Sequence, residues 1–282
     1  MAFDLSSISS ARDPKPPITL IYGGPGLGKT TFFSQTPGAV FLPVEDGLGT
    51  LEVNAFPQPS EWAEVMSAME TLYTEEHGFN WFVIDTVSAM EELIYKQVCR
   101  DEGVESVEKI PYGKGHVMAL SYWQQLLEGL AALRDQRRMG IGLIAHAEIQ
   151  RFEAPETDSY DRYQISLNKR AFKLFYERCD VIGYAAYQVS VRKQEQGFGK
   201  AEVKAKGTGK RLLHLSERPA WIAKNRYGMP DTIPLAWPAF AEALRVGVTG
   251  ETPDSDTDES AEQQAADQNQ GADTSTTESQ AA

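Results

Sequence analysis

The chain has 282 residues, 41% of them hydrophobic, and a formal net charge of −13. This is enough apolar material for one large domain or two small ones, and no run approaches the ~18 consecutive apolar residues of a membrane span. Cys99 and Cys179 are too few and too far apart for a disulfide framework or a zinc site, and residues 1–12 lack a basic-then-apolar leader, so the reading is a cytoplasmic protein.

The first element is the apolar run Ile18-Thr19-Leu20-Ile21-Tyr22, with the length and β-branching of a buried strand. Gly23-Gly24-Pro25-Gly26-Leu27-Gly28-Lys29-Thr30 follows and fits the phosphate-binding pattern G-x-x-x-x-G-K-[ST] at every constrained position. From Thr30 and Thr31 onward a short helix can begin, and Pro37 stops it. Strand, glycine loop and helix form the setting this motif needs. The glycines let consecutive N–H groups point at phosphate oxygens, and the helix N-terminus adds partial positive charge. Lys29 would reach the β- and γ-phosphates, and the Thr30 hydroxyl would be a ligand for Mg²⁺. The ligand expected from the loop alone is ATP or GTP, with Mg²⁺.

A second strand is expected at 39–44, closing on Glu45-Asp46-Gly47, either of whose carboxylates could face solvent or the nucleotide. Trp62, Val65, Met66, Met69, Leu72 and Tyr73 repeat at helical spacing within 60–76. Trp81-Phe82-Val83-Ile84 then closes on Asp85, the usual place of a second Mg²⁺ anchor in nucleotide hydrolases. Residues 88–98 read as helix, 99–116 as a glycine-punctuated mobile loop, and 117–133 as helix. The run 141–146 is a further buried strand ending in His146. Residues 147–168 read as a long polar loop holding Arg151, Phe152, Tyr160, Arg162 and Tyr163. Beyond it the pattern predicts short strands at 181–191, 201–206, 210–215 and 220–224. His77, His116 and His214 have no partner at ligand spacing and read as surface or loop residues.

Charge is segregated along the chain. Residues 249–282 carry nine carboxylates and no Lys or Arg, which leaves −4 for everything before them, whereas 192–226 hold ten Lys/Arg against three Glu. The division expected is a flexible segment at 1–15, one α/β domain at 16–248 and a disordered acidic tail at 249–282. The domain should hold a mostly parallel sheet extended by antiparallel C-terminal strands, with its ligand at the carboxyl ends of the strands.

The order of these elements resembles the RecA-like ATPases. More narrowly, it is similar to the phage-encoded, single-domain ATP-binding proteins of that superfamily associated with single-strand annealing and recombination. The resemblance spans about residues 16–245. It rests on the glycine loop, Val-Glu-Asp at 44–46, Phe-Val-Ile-Asp-Thr at 82–86, Leu-Ile-Ala-His at 143–146 and Ala-Lys-Asn-Arg-Tyr-Gly at 223–228. It implies ATP hydrolysis, with Glu45 polarising the attacking water, Asp85 anchoring Mg²⁺ and His146 sensing the γ-phosphate. It also implies a homo-oligomer in which Lys224 and Arg226 enter a neighbour's site, single-stranded DNA on the loops 99–116 and 147–168, and a tail that competes with DNA or recruits a protein partner. The rival reading is a helicase-loader-like or regulatory assembly ATPase whose main target is a protein.

Overall fold

The computed structural model of the protein describes residues 15–153, 158–196 and 200–250. The calls on a flexible segment at 1–15 and an acidic tail at 249–282 fall almost wholly outside those residues. In chain order the elements begin with β1 (Ile18–Gly23), α1 (Lys29–Ser34), β2 (Ala39–Pro43), β3 (Asn54–Ala55), α2 (Trp62–Thr74), β4 (Trp81–Asp85), α3 (Val87–Glu102) and α4 (Lys114–Gln136). They continue with β5 (Gly140–Phe152), β6 (Tyr160–Ile165), α5 (Lys169–Arg178), β7 (Val181–Gln196), β8 (Lys200–His214), β9 (Lys224–Asn225), β10 (Thr232–Pro234) and α6 (Trp237–Thr249).

The sheet runs β10-β8-β7-β1-β5-β4-β2-β3, with β6 paired to β5 and β9 to β7. From β7 through β3 neighbouring strands are parallel, while β8 and β10 add on antiparallel. This is the α/β architecture expected from the alternation of strands and helices. Side chains alternate across each central strand and so feed two cores. Ile18, Leu20 and Tyr22 of β1 face one core with Trp123, Leu126 and Leu130 of α4, Val65 of α2 and Phe175 of α5. Ile21 faces the other, with Phe32 and Phe33 of α1 and Trp237 and Phe240 of α6. Helices therefore cover both faces, as parallel strands buried on both sides require.

Four local expectations need correction. The stretch 99–116 is not one loop. Helix α3 runs on to a left-handed Gly103 cap, two 3₁₀ turns follow, and α4 starts at Lys114. The presumed loop 147–168 is largely a hairpin, because β5 continues past the sheet to Phe152 and turns back as β6, pairing Ala147↔Ile165 through Phe152↔Tyr160. Its β6 sequence Tyr-Asp-Arg-Tyr-Gln-Ile has no continuous apolar run, a composition that pairs as readily as it loops. The strands expected at 201–206 and 210–215 are one strand, β8. The strand expected at 220–224 shrinks to Lys224–Asn225, and Arg226 lies outside it. Trp221 makes only isolated bridges, to Tyr163 and Arg218. Helix α5 was not anticipated, since its sequence KRAFKLFYER is charged over most of its surface and buries only Ala171 and Phe175.

Candidate nucleotide site

Parallel pairing brings the carboxyl ends of β1, β2 and β4 to one edge, together with the point where β5 leaves the parallel sheet at His146. Gly23 is registered opposite His146, Asp85 opposite Ile144, and Pro43 opposite Asp85. The chain leaving β2 is tied to that edge by Val44 N–H donating to the Asp85 carbonyl (2.7 Å), which sets Glu45 beside Asp85. Gly23 is required by packing as well as by the loop. A Cβ there would lie 2.6 Å from the backbone oxygen of Ala185, so any side chain would push β1 off β7.

Within the loop, Gly26 and Gly28 both have left-handed backbones, φ 72° and 88°. Lys29 is buried, 6% exposed, and its Nζ donates to the carbonyls of Gly23 (3.0 Å) and Gly24 (2.9 Å). Burial lowers the pKa of its ammonium, while Asp85 and Glu45 pull the other way. Thr30 Oγ1 donates to Asp85 Oδ2 at 2.7 Å. Asp85 is 3% exposed, and its pKa is raised chiefly by burial, opposed by the Thr30 hydrogen bond. Beyond them, His146 Nε2 lies 3.0 Å from Glu45 Oε1 and 3.2 Å from Oε2. His146 is itself fixed through its backbone N–H, which donates to Ser88 Oγ (3.0 Å).

These groups line a cavity of about 590 Å³. Of the residues expected from sequence, Pro25, Gly26, Gly28, Lys29, Thr30, Thr31, Glu45, Asp85 and His146 form its wall. Gly23 and Gly24 act through carbonyls that hold Lys29, and Leu27 is buried beneath the loop. Asp46 also lines the cavity but is exposed, whereas Glu45 is the carboxylate held by the histidine.

Lys224 and Arg226 stand apart. Strand β9 pairs with Val181 and Ile182, which sit beside Thr19 and Leu20 at the start of β1, the edge away from the glycine loop. Lys224 Nζ donates to the carbonyls of Tyr176 (2.6 Å) and Glu177 (3.3 Å), and Arg226 donates to the Glu177 carbonyl (3.1 Å) and to Asp180 Oδ1 (3.0 Å). Both cations thus serve the carboxyl-terminal end of α5, where unpaired carbonyls and the helix dipole favour positive charge.

Sequence reasoning missed Arg211. It comes from β8 and reaches the cavity wall beside Gly28, its Nη1 donating to the Leu27 carbonyl at 3.3 Å. Its only sequence signal was membership of the basic stretch 192–226, and its position depends on the β7–β8 register, Tyr187↔Arg211.

The donor set fits a magnesium nucleotide. A glycine cradle, a buried ammonium held by carbonyls it can exchange for phosphate oxygens, and a hydroxyl paired with a buried carboxylate are what the phosphates and Mg²⁺ require. Fold and site together define a P-loop nucleotide-binding ATPase domain. A family profile described as an AAA domain (AAA_24) matches residues 15–227, and the chain belongs to that family. A search among curated proteins found no match. Among solved structures, one titled as the crystal structure of the RadB recombinase aligns over 74% of this chain and 86% of its own, at 16% identity and a TM-score of 0.41.

Proposed function

We propose that the protein hydrolyses ATP at this site and couples hydrolysis to single-stranded DNA. The observation that carries the hydrolytic reading is the convergence on one edge of Lys29, the Thr30–Asp85 pair at 2.7 Å and the Glu45–His146 pair at 3.0 Å. Lys29 would leave the Gly23 and Gly24 carbonyls for the β- and γ-phosphate oxygens. Thr30 and Asp85 would hold Mg²⁺, which would supply positive charge to offset that of the phosphates. Glu45 would take the proton of the attacking water, and His146 would keep its carboxylate aimed across the cavity. Among the described residues none braces Asp46 in this way, which favours Glu45 as the base.

Support for DNA comes from exposed apolar and aromatic side chains on the two stretches that the resemblance assigns to it. Tyr112 is 95% exposed, Ile149 62% and Tyr163 39%. Base stacking on aromatic rings beside cationic segments is the usual means of holding single strands without reading sequence. The phage-type annealing role belongs to this same proposal and rests on the motif resemblance.

Lys29→Ala removes the charge that faces the phosphates while freeing only loop carbonyls. It should lose measurable ATP·Mg²⁺ binding in a fluorescent-nucleotide titration, with an unchanged circular dichroism spectrum. Wild-type affinity in that variant would end the assignment of the loop.

A further inference from the structure

The glycine loop has two flanks. On one stand β5, β4 and β2 with His146, Asp85 and Glu45, the side to which the proposed function assigns the γ-phosphate and the metal. On the other stand β7 and then β8, and from β8 comes Arg211. Its guanidinium lies against the start of α1 rather than against the carboxylates. Gly28 carries no side chain there, and a Cβ on it would sit 2.3 Å from Arg211 Nη1, so the arginine occupies the space that the glycine leaves. The same hypothetical Cβ would lie 3.8 Å from Thr31 Cβ. Among the described residues no carboxylate is paired with Arg211, and one of its five N–H donors is engaged by the Leu27 carbonyl.

The geometry points to Arg211 as a nucleotide-binding residue supplied by the same chain, gripping the α- and β-phosphates from the flank opposite the catalytic carboxylate. The backbone N–H groups of Gly28 to Thr31 are those that cradle the α- and β-phosphates in such a loop. A guanidinium set beside them meets the same oxygens, with a fork that suits two phosphate oxygens at once. Since ADP and ATP share these two phosphates, the contact is a binding contact common to both. It differs in kind from an arginine that meets charge developing on the γ-phosphate.

The inference rests on the nucleotide reading of the site, and the test separates the two. Dissociation constants of fluorescent ADP and of a non-hydrolysable fluorescent ATP analogue are measured for wild type, Arg211→Ala and Arg211→Lys, each checked by thermal melting without nucleotide. Arg211→Ala should weaken both ligands by the same factor, about 10- to 100-fold, the worth of a charge-assisted hydrogen bond. Arg211→Lys, which keeps the charge and loses the fork, should fall between. Loss confined to the ATP analogue would place Arg211 on the γ-phosphate and overturn the inference. Unchanged affinities for both ligands in both variants would also overturn it while leaving the nucleotide site intact. Failure of the wild type to bind either ligand would remove the nucleotide reading itself.

Discussion

At the scale of single residues, the carboxylate proposed as the base is singled out by a neighbour far away in sequence. Glu45 and Asp46 are adjacent at the end of β2, and nothing in their order separates them. The structure does, because His146, where β5 leaves the parallel sheet, lies 3.0 Å from Glu45. Replacing Glu45 by Gln keeps size and hydrogen bonding but removes the proposed base. We expect Glu45→Gln to bind ATP·Mg²⁺ near wild-type affinity and to release phosphate about 10²- to 10⁴-fold more slowly, the usual worth of general-base catalysis. Asp46→Asn should hydrolyse at close to the wild-type rate. A crippled Asp46→Asn beside an active Glu45→Gln, measured by steady-state phosphate release, would move the base one residue along.

At the scale of elements, the loop helix α1 is short, six residues, and too short to be stable alone. It is held by α6, which closes the described part of the chain. Phe32 packs edge-on against Trp237 (5.7 Å) and Phe240 (5.5 Å), and Gln35 Oε1 accepts from Trp237 N–H (3.3 Å). Phe240→Ala removes a fully buried ring from that contact and should cost about 3–5 kcal/mol of stability, read as a lowered midpoint in urea. A loss below about 1 kcal/mol would mean that α6 is not needed to seat α1.

What was legible at this scale follows from how local each signal is. The strand before the glycine loop and Asp85 at the close of β4 could be read from short apolar runs closing on polar residues, as could the buried run before His146, although β5 goes on to Phe152 and does not end there. The 147–165 hairpin, helix α5 and the approach of Arg211 could not. The hairpin's mixed polar and aromatic residues fit either a loop or a partly exposed ladder. Helix α5 hides its two buried residues, Ala171 and Phe175, among charges. Arg211 reaches the loop only through the pairing of β7 with β8, an antiparallel register with an irregularity after Tyr187. Lys224 and Arg226 were legible as a cationic pair, but not the carbonyls of Tyr176 and Glu177 that hold them.

At the scale of the whole molecule, the nucleotide cavity lies at one edge of a sheet whose neighbouring hairpin and turns carry exposed Tyr112, Ile149 and Tyr163. No helix among the described residues is long and apolar enough to cross a membrane. With the proposed base, metal ligands and phosphate-binding lysine all supplied by one chain, the account asks of DNA only that it bias the site toward turnover. Steady-state ATP hydrolysis with and without saturating single-stranded DNA, run beside size-exclusion chromatography of the same samples, tests this most directly. The account predicts phosphate release that needs Mg²⁺, rises severalfold with single-stranded DNA and accompanies a shift to larger assemblies. A rate unchanged by DNA at every concentration would contradict the coupling and favour a protein as the target. No Mg²⁺-dependent hydrolysis under any of these conditions would contradict the account at its centre.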